Sequence, residues 1–168
     1  MLLAFIIVII FGSTMMIAAF KDATTMTIPN WISLALLACF FLIIPFAWPG
    51  WSEFGTHLFV GLTFFLVGFA MFAFGWLGGG DAKLMAATAL WWQWPDAIIY
   101  IFYTTVIGAF FGLALMIGRK YIPVSILTSP WAYKMFKDEK KMPYGLALAA
   151  GALLTLPQSQ LFLRAYGL

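Results

Sequence analysis

The 168-residue chain has little charge: aspartate, glutamate, lysine and arginine together make up 9% of it, and only one residue is histidine. An ordinary soluble domain carries about a quarter charged residues, so this composition excludes one. It also excludes a disordered chain, because disorder requires high charge and low hydrophobicity. The single cysteine, Cys39, excludes an intrachain disulfide and an all-cysteine zinc site within this sequence. The net charge of +3 is too small to indicate a nucleic-acid-binding protein.

Apolar residues dominate the chain instead, with 64% hydrophobic residues and a mean hydropathy of +1.01. The apolar runs are continuous, which argues against the alternating strands of a transmembrane barrel. Since a spanning helix takes about 20 apolar residues, we predict an all-α polytopic membrane protein. We expect a bundle of six transmembrane helices that forms one membrane-embedded domain over residues 1–168. The predicted helices cover residues 2–20, 31–48, 58–76, 82–94, 97–118 and 144–156.

The basic residues lie almost entirely on one side of this predicted bundle. Every lysine and arginine follows an odd-numbered helix, except Arg164 near the end of the chain. Because cytoplasmic connections are enriched in lysine and arginine, we predict that these connections are cytoplasmic and that both termini lie outside the inner membrane. The polar stretch 119–143 then lies inside. Its part 130–141 is either an amphipathic interfacial helix in contact with lipid or a solvated basic loop.

Two of the six acidic residues, Asp22 and Asp81, are each predicted at the inner end of an apolar helix. The helix after Asp81 has about 13 residues, which at 1.5 Å each is roughly 20 Å, less than the hydrocarbon core of about 30 Å. Either this helix continues through Pro95, or its inner end and Asp81 lie below the membrane surface, where a carboxylate is costly and usually functional. The other four acids are predicted to be solvated loop charges: Glu53, Asp96, Asp138 and Glu139.

A pair of neighbouring carboxyls has a distinct chemistry, because two such groups share a proton and titrate together. The ionised group can activate water and the protonated group can protonate an amide leaving group, as in an aspartic peptidase. The one histidine, His57, is predicted on the outer face, so we expect no metal site and no cofactor. The residues alone also leave open a small ion- or proton-coupled transporter, or a non-catalytic assembly subunit.

Three sequence motifs carry a more specific resemblance. Residues 78–84 (GGGDAKL) resemble the GxGD-x-K-L motif of the type IV prepilin peptidases, a motif whose GxGD part presenilin-type proteases share. Residues 21–30 (KDATTMTIPN) resemble that family's first aspartate motif. Residues 142–147 (MPYGLA) resemble the segment that opens its last helix. All three motifs fall on the predicted inner face, in the family's order.

This resemblance implies that Asp22 and Asp81 are the catalytic pair of a membrane aspartic endopeptidase. Its partner would be a prepilin or pilin-like precursor, cut at the cytoplasmic membrane face behind a short basic leader. The small size resembles the peptidases of Flp/Tad pilus systems, and archaeal preflagellin peptidases are an alternative. The larger prepilin peptidases carry a cytoplasmic domain with paired cysteines linked to methylation. No such domain precedes the first predicted helix here, so methyltransferase activity is not expected.

Further residues of these motifs are candidates for supporting the pair. Lys83 either polarises Asp81 or anchors the helix on the positive side. The glycines either admit substrate backbone or form a turn, and Asn30 either orients its loop or caps a helix. The complete set of supporting candidates is Asn30, Gly78, Gly79, Gly80, Lys83, Pro143, Tyr144 and Gly145.

Overall fold

The computed structural model describes residues 1–122, 128, 130–137 and 142–167, and throughout this part the regular elements are helices. The predicted all-α class is therefore confirmed for these residues. The α-helices are α1 (Leu2–Thr25), α2 (Asn30–Ile43), α3 (Trp51–Ala73), α4 (Gly79–Ala89), α5 (Trp94–Tyr121), α6 (Pro130–Lys137), α7 (Tyr144–Thr155) and α8 (Gln160–Tyr166). Short 3-10 turns continue α2 at Ile44–Ala47 and α7 at Leu156–Gln158.

Four of the described helical segments are long and apolar enough to cross a membrane: α1, α3, α5, and α2 with its 3-10 turn. A fifth candidate is α7 with its 3-10 turn together with α8, two pieces that meet at a bend of 46°. These segments make the chain a multi-pass membrane protein. Helix α4 is not among them, because its 11 residues reach only about 16 Å. It lies among the others, packed against α2, α3 and α7.

Helix α1 extends five residues past the predicted end at residue 20, so Asp22 lies within its last turns rather than in a loop after it. The threonines that suggested a loop bond back onto the helix. The Thr24 hydroxyl donates to Phe20 O at 2.7 Å, and the Thr25 hydroxyl donates to Lys21 O at 2.7 Å. The helix ends at Met26, which has the left-handed φ of 57°.

Two loop predictions on the opposite side of the bundle are wrong. Helix α3 begins at Trp51 rather than at residue 58, so Glu53 is helical, and its carboxylate pairs with Arg164 at 2.6 Å. Asp96 is only 2% exposed and lies in the first turn of α5. Its Oδ2 accepts hydrogen bonds from the backbone N–H groups of Gln93 at 3.2 Å and Gln160 at 3.1 Å. Asp96 thus joins the starts of α5 and α8. The sequence does not indicate this role, because Gln160 is 64 positions from Asp96.

We expect Asp96→Ala to lower the free energy of unfolding by about 2 kcal/mol, because it leaves the buried N–H of Gln93 and the partly buried N–H of Gln160 without this acceptor. Glu53→Ala is the matched control. It removes a carboxylate from a half-exposed ion pair, which is worth about 1 kcal/mol or less. Thermal unfolding of the purified variants in detergent measures both effects. Equal melting temperatures for the two variants would contradict the assignment of Asp96 as a structural acceptor.

The polar stretch after α5 contains a helix, α6, over Pro130–Lys137. The Arg119 guanidinium holds it by donating to Met135 O from Nε at 3.2 Å and from Nη2 at 2.7 Å. Met135 is buried, and the Phe136 ring lies against Gly118. The structure thus has a helix in the first part of segment 130–141. The remainder, with Asp138 and Glu139, lies outside the described residues.

Candidate active site

Asp22 is held in place by a residue 123 positions further along the chain. Its side chain is 4% exposed, and its Oδ2 accepts a hydrogen bond of 2.7 Å from the backbone N–H of Gly145. Gly145 lies in the first turn of α7, where N–H groups have no partner within the helix. The free N–H at the start of α7 therefore fixes the Asp22 carboxyl on α1.

Asp81 lies in the first turn of α4. Its Oδ2 lies beside Gly78, and the Asp22 carboxyl is near enough to interact with it electrostatically. Its Oδ1 is buried and has no hydrogen-bond partner among the described residues. Asp81 thus has one carboxyl oxygen without a hydrogen bond, beside a second carboxyl.

Both carboxyls line one cavity of about 550 Å³. The structure therefore brings together the two aspartates that the motifs predicted, although 59 positions separate them. The remaining lining residues come from the end of α1, the end of α3 and its connection to α4, and the start of α7: Met26, Met71, Gly75, Trp76, Leu77, Gly78, Met142 and Tyr144.

Ile28 is a buried wedge between α4 and α7, and two of the predicted glycines make room for it. A Cβ on Gly145 would lie 2.7 Å from Ile28 Cδ1 and 2.8 Å from Asp22 Oδ2. A Cβ on Gly80 would lie 3.1 Å from Ile28 Cβ and 3.3 Å from its backbone N. Real side chains rarely tolerate such distances, so these glycines serve close approach. Ile28 itself was predicted only as part of a motif.

The other two glycines have separate surroundings. Gly78 precedes α4 and lines the cavity, and a Cβ there would lie 2.7 Å from Asp81 Oδ2. Gly79 faces the Phe72 ring of α3, with a Cβ distance of 3.2 Å. Gly78 therefore belongs to the site itself, while Gly79 packs α4 against α3.

Lys83 and Asn30 lie together but outside this cavity. The Lys83 ammonium donates to Asn30 Oδ1 at 3.0 Å and, among the described residues, makes no ion pair with Asp81. Both side chains are exposed. The geometry thus gives Lys83 an amide partner rather than the carboxyl that the sequence suggested.

Pro143 and Tyr144 form the entry to α7. Pro143 is buried and precedes the helix, which starts at Tyr144. The Tyr144 side chain lines the aspartate cavity and packs on α5 at Gly108, where a Cβ would lie 2.9 Å from its ring. Gly108 therefore lets the Tyr144 ring lie between α5 and the carboxyls.

The arrangement is suited to moving one proton between two carboxyls beside a cavity that can admit a peptide and water. It offers no metal site: in the described part of the chain, no three histidine, cysteine or acidic side chains cluster closely enough to hold an ion. Sequence reasoning did not identify Met71, Leu77 and Met142 as lining residues. Apolar side chains in apolar runs carry no signal that would separate them from packing residues.

The profile of the type IV leader peptidase family matches residues 9–113, which is more than half of the chain and includes both Asp22 and Asp81. No curated protein and no solved structure matches the chain significantly.

Proposed function

This chain belongs to the type IV leader peptidase family, and we propose that it is an aspartic endopeptidase that uses Asp22 and Asp81 as its catalytic pair. Its proposed substrates are Flp-type prepilins or similar precursors, from which it removes a short basic leader at the cytoplasmic face of the inner membrane. The observation that carries this proposal is the meeting of two carboxyls from α1 and α4 in one cavity.

The contacts of the two carboxyls favour different roles in the reaction. The Gly145 N–H bonded to Asp22 favours an ionised carboxylate there, while Asp81, with an unpaired oxygen, is suited to hold the shared proton. Asp22 takes a proton from water as the water oxygen attacks the carbonyl carbon of the peptide bond. Asp81 gives its proton to the amide nitrogen, and the C–N bond breaks. The pair again holds one proton, so a return of that proton to Asp81 completes the cycle.

An apolar groove beside the cavity supports a substrate with a hydrophobic segment after the cut. This groove of about 280 Å³ lies between α3 and α5, two helices that contact each other little along their length. It shares Met71, Leu77 and Tyr144 with the aspartate cavity. A precursor helix lying against this groove in the bilayer would therefore bring the residues just before it to the carboxyls.

The test is cleavage by the purified chain in vesicles. The substrate is a precursor with a short basic leader, a glycine before the cut and an apolar helix after it, and mass spectrometry identifies the products. We expect two fragments that separate after the glycine. A precursor with a polar segment in place of its apolar helix is the control and should be cut far more slowly. An intact precursor, with or without ion flux across the vesicles, would contradict the proposal.

We also propose that six helices lie in the membrane, with α4 as a short embedded one, and that both termini face outward. A cysteine introduced at Ser52, at the start of α3, should then react in intact cells with a membrane-impermeant thiol reagent, in a Cys39→Ala background. A cysteine at Lys120, at the end of α5, should react only after permeabilisation. Both native side chains are exposed, so accessibility to reagent depends on the side of the membrane. The reverse pattern would overturn the orientation.

A further inference from the structure

A second groove lies on the opposite side of α4 from the aspartate cavity. It has a volume of about 530 Å³, with α4 as its floor and α2 and α3 as its walls. The two walls pack on α4 rather than on each other, so the groove opens outward between them. Its residues on α2 run from Asn30 to Phe41, which at 1.5 Å per residue is about 16 Å. That is close to half of a hydrocarbon core of about 30 Å, the depth of one lipid leaflet.

The polarity of the groove changes along its length. Its polar groups, Asn30, Ser33 and Lys83, gather at one end. The rest is walled by aliphatic and aromatic side chains, among them Leu34, Phe41 and Phe65. A molecule that fits this groove has a polar head and a long apolar tail, which is the pattern of a phospholipid.

The polar end of the groove has hydrogen-bonding capacity to spare. The Lys83 ammonium has three N–H donors, of which one goes to Asn30 Oδ1, and it has no acidic partner within ion-pair distance in the described part of the chain. Ser33 is 6% exposed, and its hydroxyl has no hydrogen-bond partner among the described residues. An exposed ammonium and a buried hydroxyl at the head of an apolar groove are complementary to a phosphate that carries negative charge.

We propose that the groove between α2 and α3 binds one anionic phospholipid, with its phosphate on Lys83, Asn30 and Ser33 and an acyl chain along Leu34 and Phe41. This site is separate from the aspartate cavity and does not depend on peptidase activity. A bound lipid would fill the gap between α2 and α3 and fix Lys83, which lies two residues after Asp81 on α4. The site therefore links the composition of the surrounding leaflet to the position of α4.

Native mass spectrometry of the detergent-purified chain tests this assignment, with phosphatidylglycerol as the anionic probe and phosphatidylethanolamine of the same acyl chains as the zwitterionic one. We expect one phosphatidylglycerol to be retained in preference to phosphatidylethanolamine. Lys83→Gln should weaken that retention about tenfold, because it removes the charged donor. Lys120→Gln is the matched control: it removes one exposed positive charge at the end of α5, far from the groove in sequence, and should retain the lipid.

A second variant tests the apolar part of the site without changing charge. Leu34 is 62% exposed at the edge of the groove, so Leu34→Trp should obstruct the acyl chain and lower retention. The melting temperature of each variant verifies its folding. If Leu34→Trp does not fold, the comparison of Lys83→Gln with Lys120→Gln still tests whether the groove binds the anionic lipid. Equal retention of the two lipids, or equal losses in Lys83→Gln and Lys120→Gln, would overturn the proposal. So would a groove occupied by a second copy of the chain, seen as a dimer mass.

Discussion

Asp22→Asn and Asp81→Asn should each lower the rate of precursor cleavage by about 10⁴-fold or more. When residues act as one catalytic unit, the loss of one member costs about as much as the loss of all of them. Asparagine preserves the shape of each side chain but cannot take up or release the proton that the pair exchanges. The double variant should be no worse than either single one, for the same reason. The measurement is the rate of leader release from a purified precursor in vesicles, followed by mass spectrometry.

Glu53→Gln is the matched control for these substitutions. It makes the same carboxyl-to-amide change at an acid that pairs with Arg164, remote from the cavity, and should leave cleavage unchanged. All variants should keep the melting temperature of the unmodified chain within a few degrees. If either aspartate variant cleaves at near the original rate, the assignment of a catalytic pair fails. If cleavage persists only in Asp22→Asn, a single-carboxyl mechanism would replace the proposed one.

Gly145→Ala should lower cleavage by about 100-fold, since misplacing a reacting group by about 1 Å has an effect of that size. The added methyl would lie 2.8 Å from Asp22 Oδ2 and 2.7 Å from Ile28 Cδ1, so α7 or the carboxyl must move. Such overpacking also destabilises a core by about 1–3 kcal/mol. Cleavage rate and melting temperature, measured on the same preparation, record the two effects.

Gly55→Ala is the control for this change, because Gly55 is helical and a Cβ there meets nothing within 4 Å. It should retain full activity. Adding Ile28→Val to Gly145→Ala removes the Cδ1 atom and should restore stability, but the contact with Asp22 remains and cleavage should stay low. Full recovery of cleavage in this double variant would contradict the role of Gly145 in positioning Asp22.

Much of the site is readable from the sequence because its chemistry requires rare residues. In a chain with 9% charged residues, an aspartate next to an apolar helix is conspicuous, and Asp22 and Asp81 were identified in this way. The glycines before Asp81 and at position 145 were named as supporting residues, but their function could not be derived. That function depends on Ile28, whose position between two helices is set by the whole fold.

The half of the molecule away from the two aspartates was harder to predict, for a physical reason. Asp96 and His57 stand near helix ends, where solvated charges are common, yet both are buried with backbone partners. Asp96 accepts from Gln160 N, and His57 Nδ1 lies 2.9 Å from Leu90 O. Both partners are distant in sequence, so no local pattern indicates them. Lys83 is a similar case, since its partner Asn30 is 53 positions away.

The hydrogen bond from Gly145 to Asp22 has a consequence for how the protein can be divided. The family match ends at residue 113 and contains both acids, but the amide that tethers Asp22 comes from beyond it. A fragment that stops after α5 would therefore contain both aspartates but lack the backbone amide that holds Asp22. If the two portions were synthesised as separate polypeptides, they would have to associate in the bilayer before the bond between Gly145 and Asp22 could form.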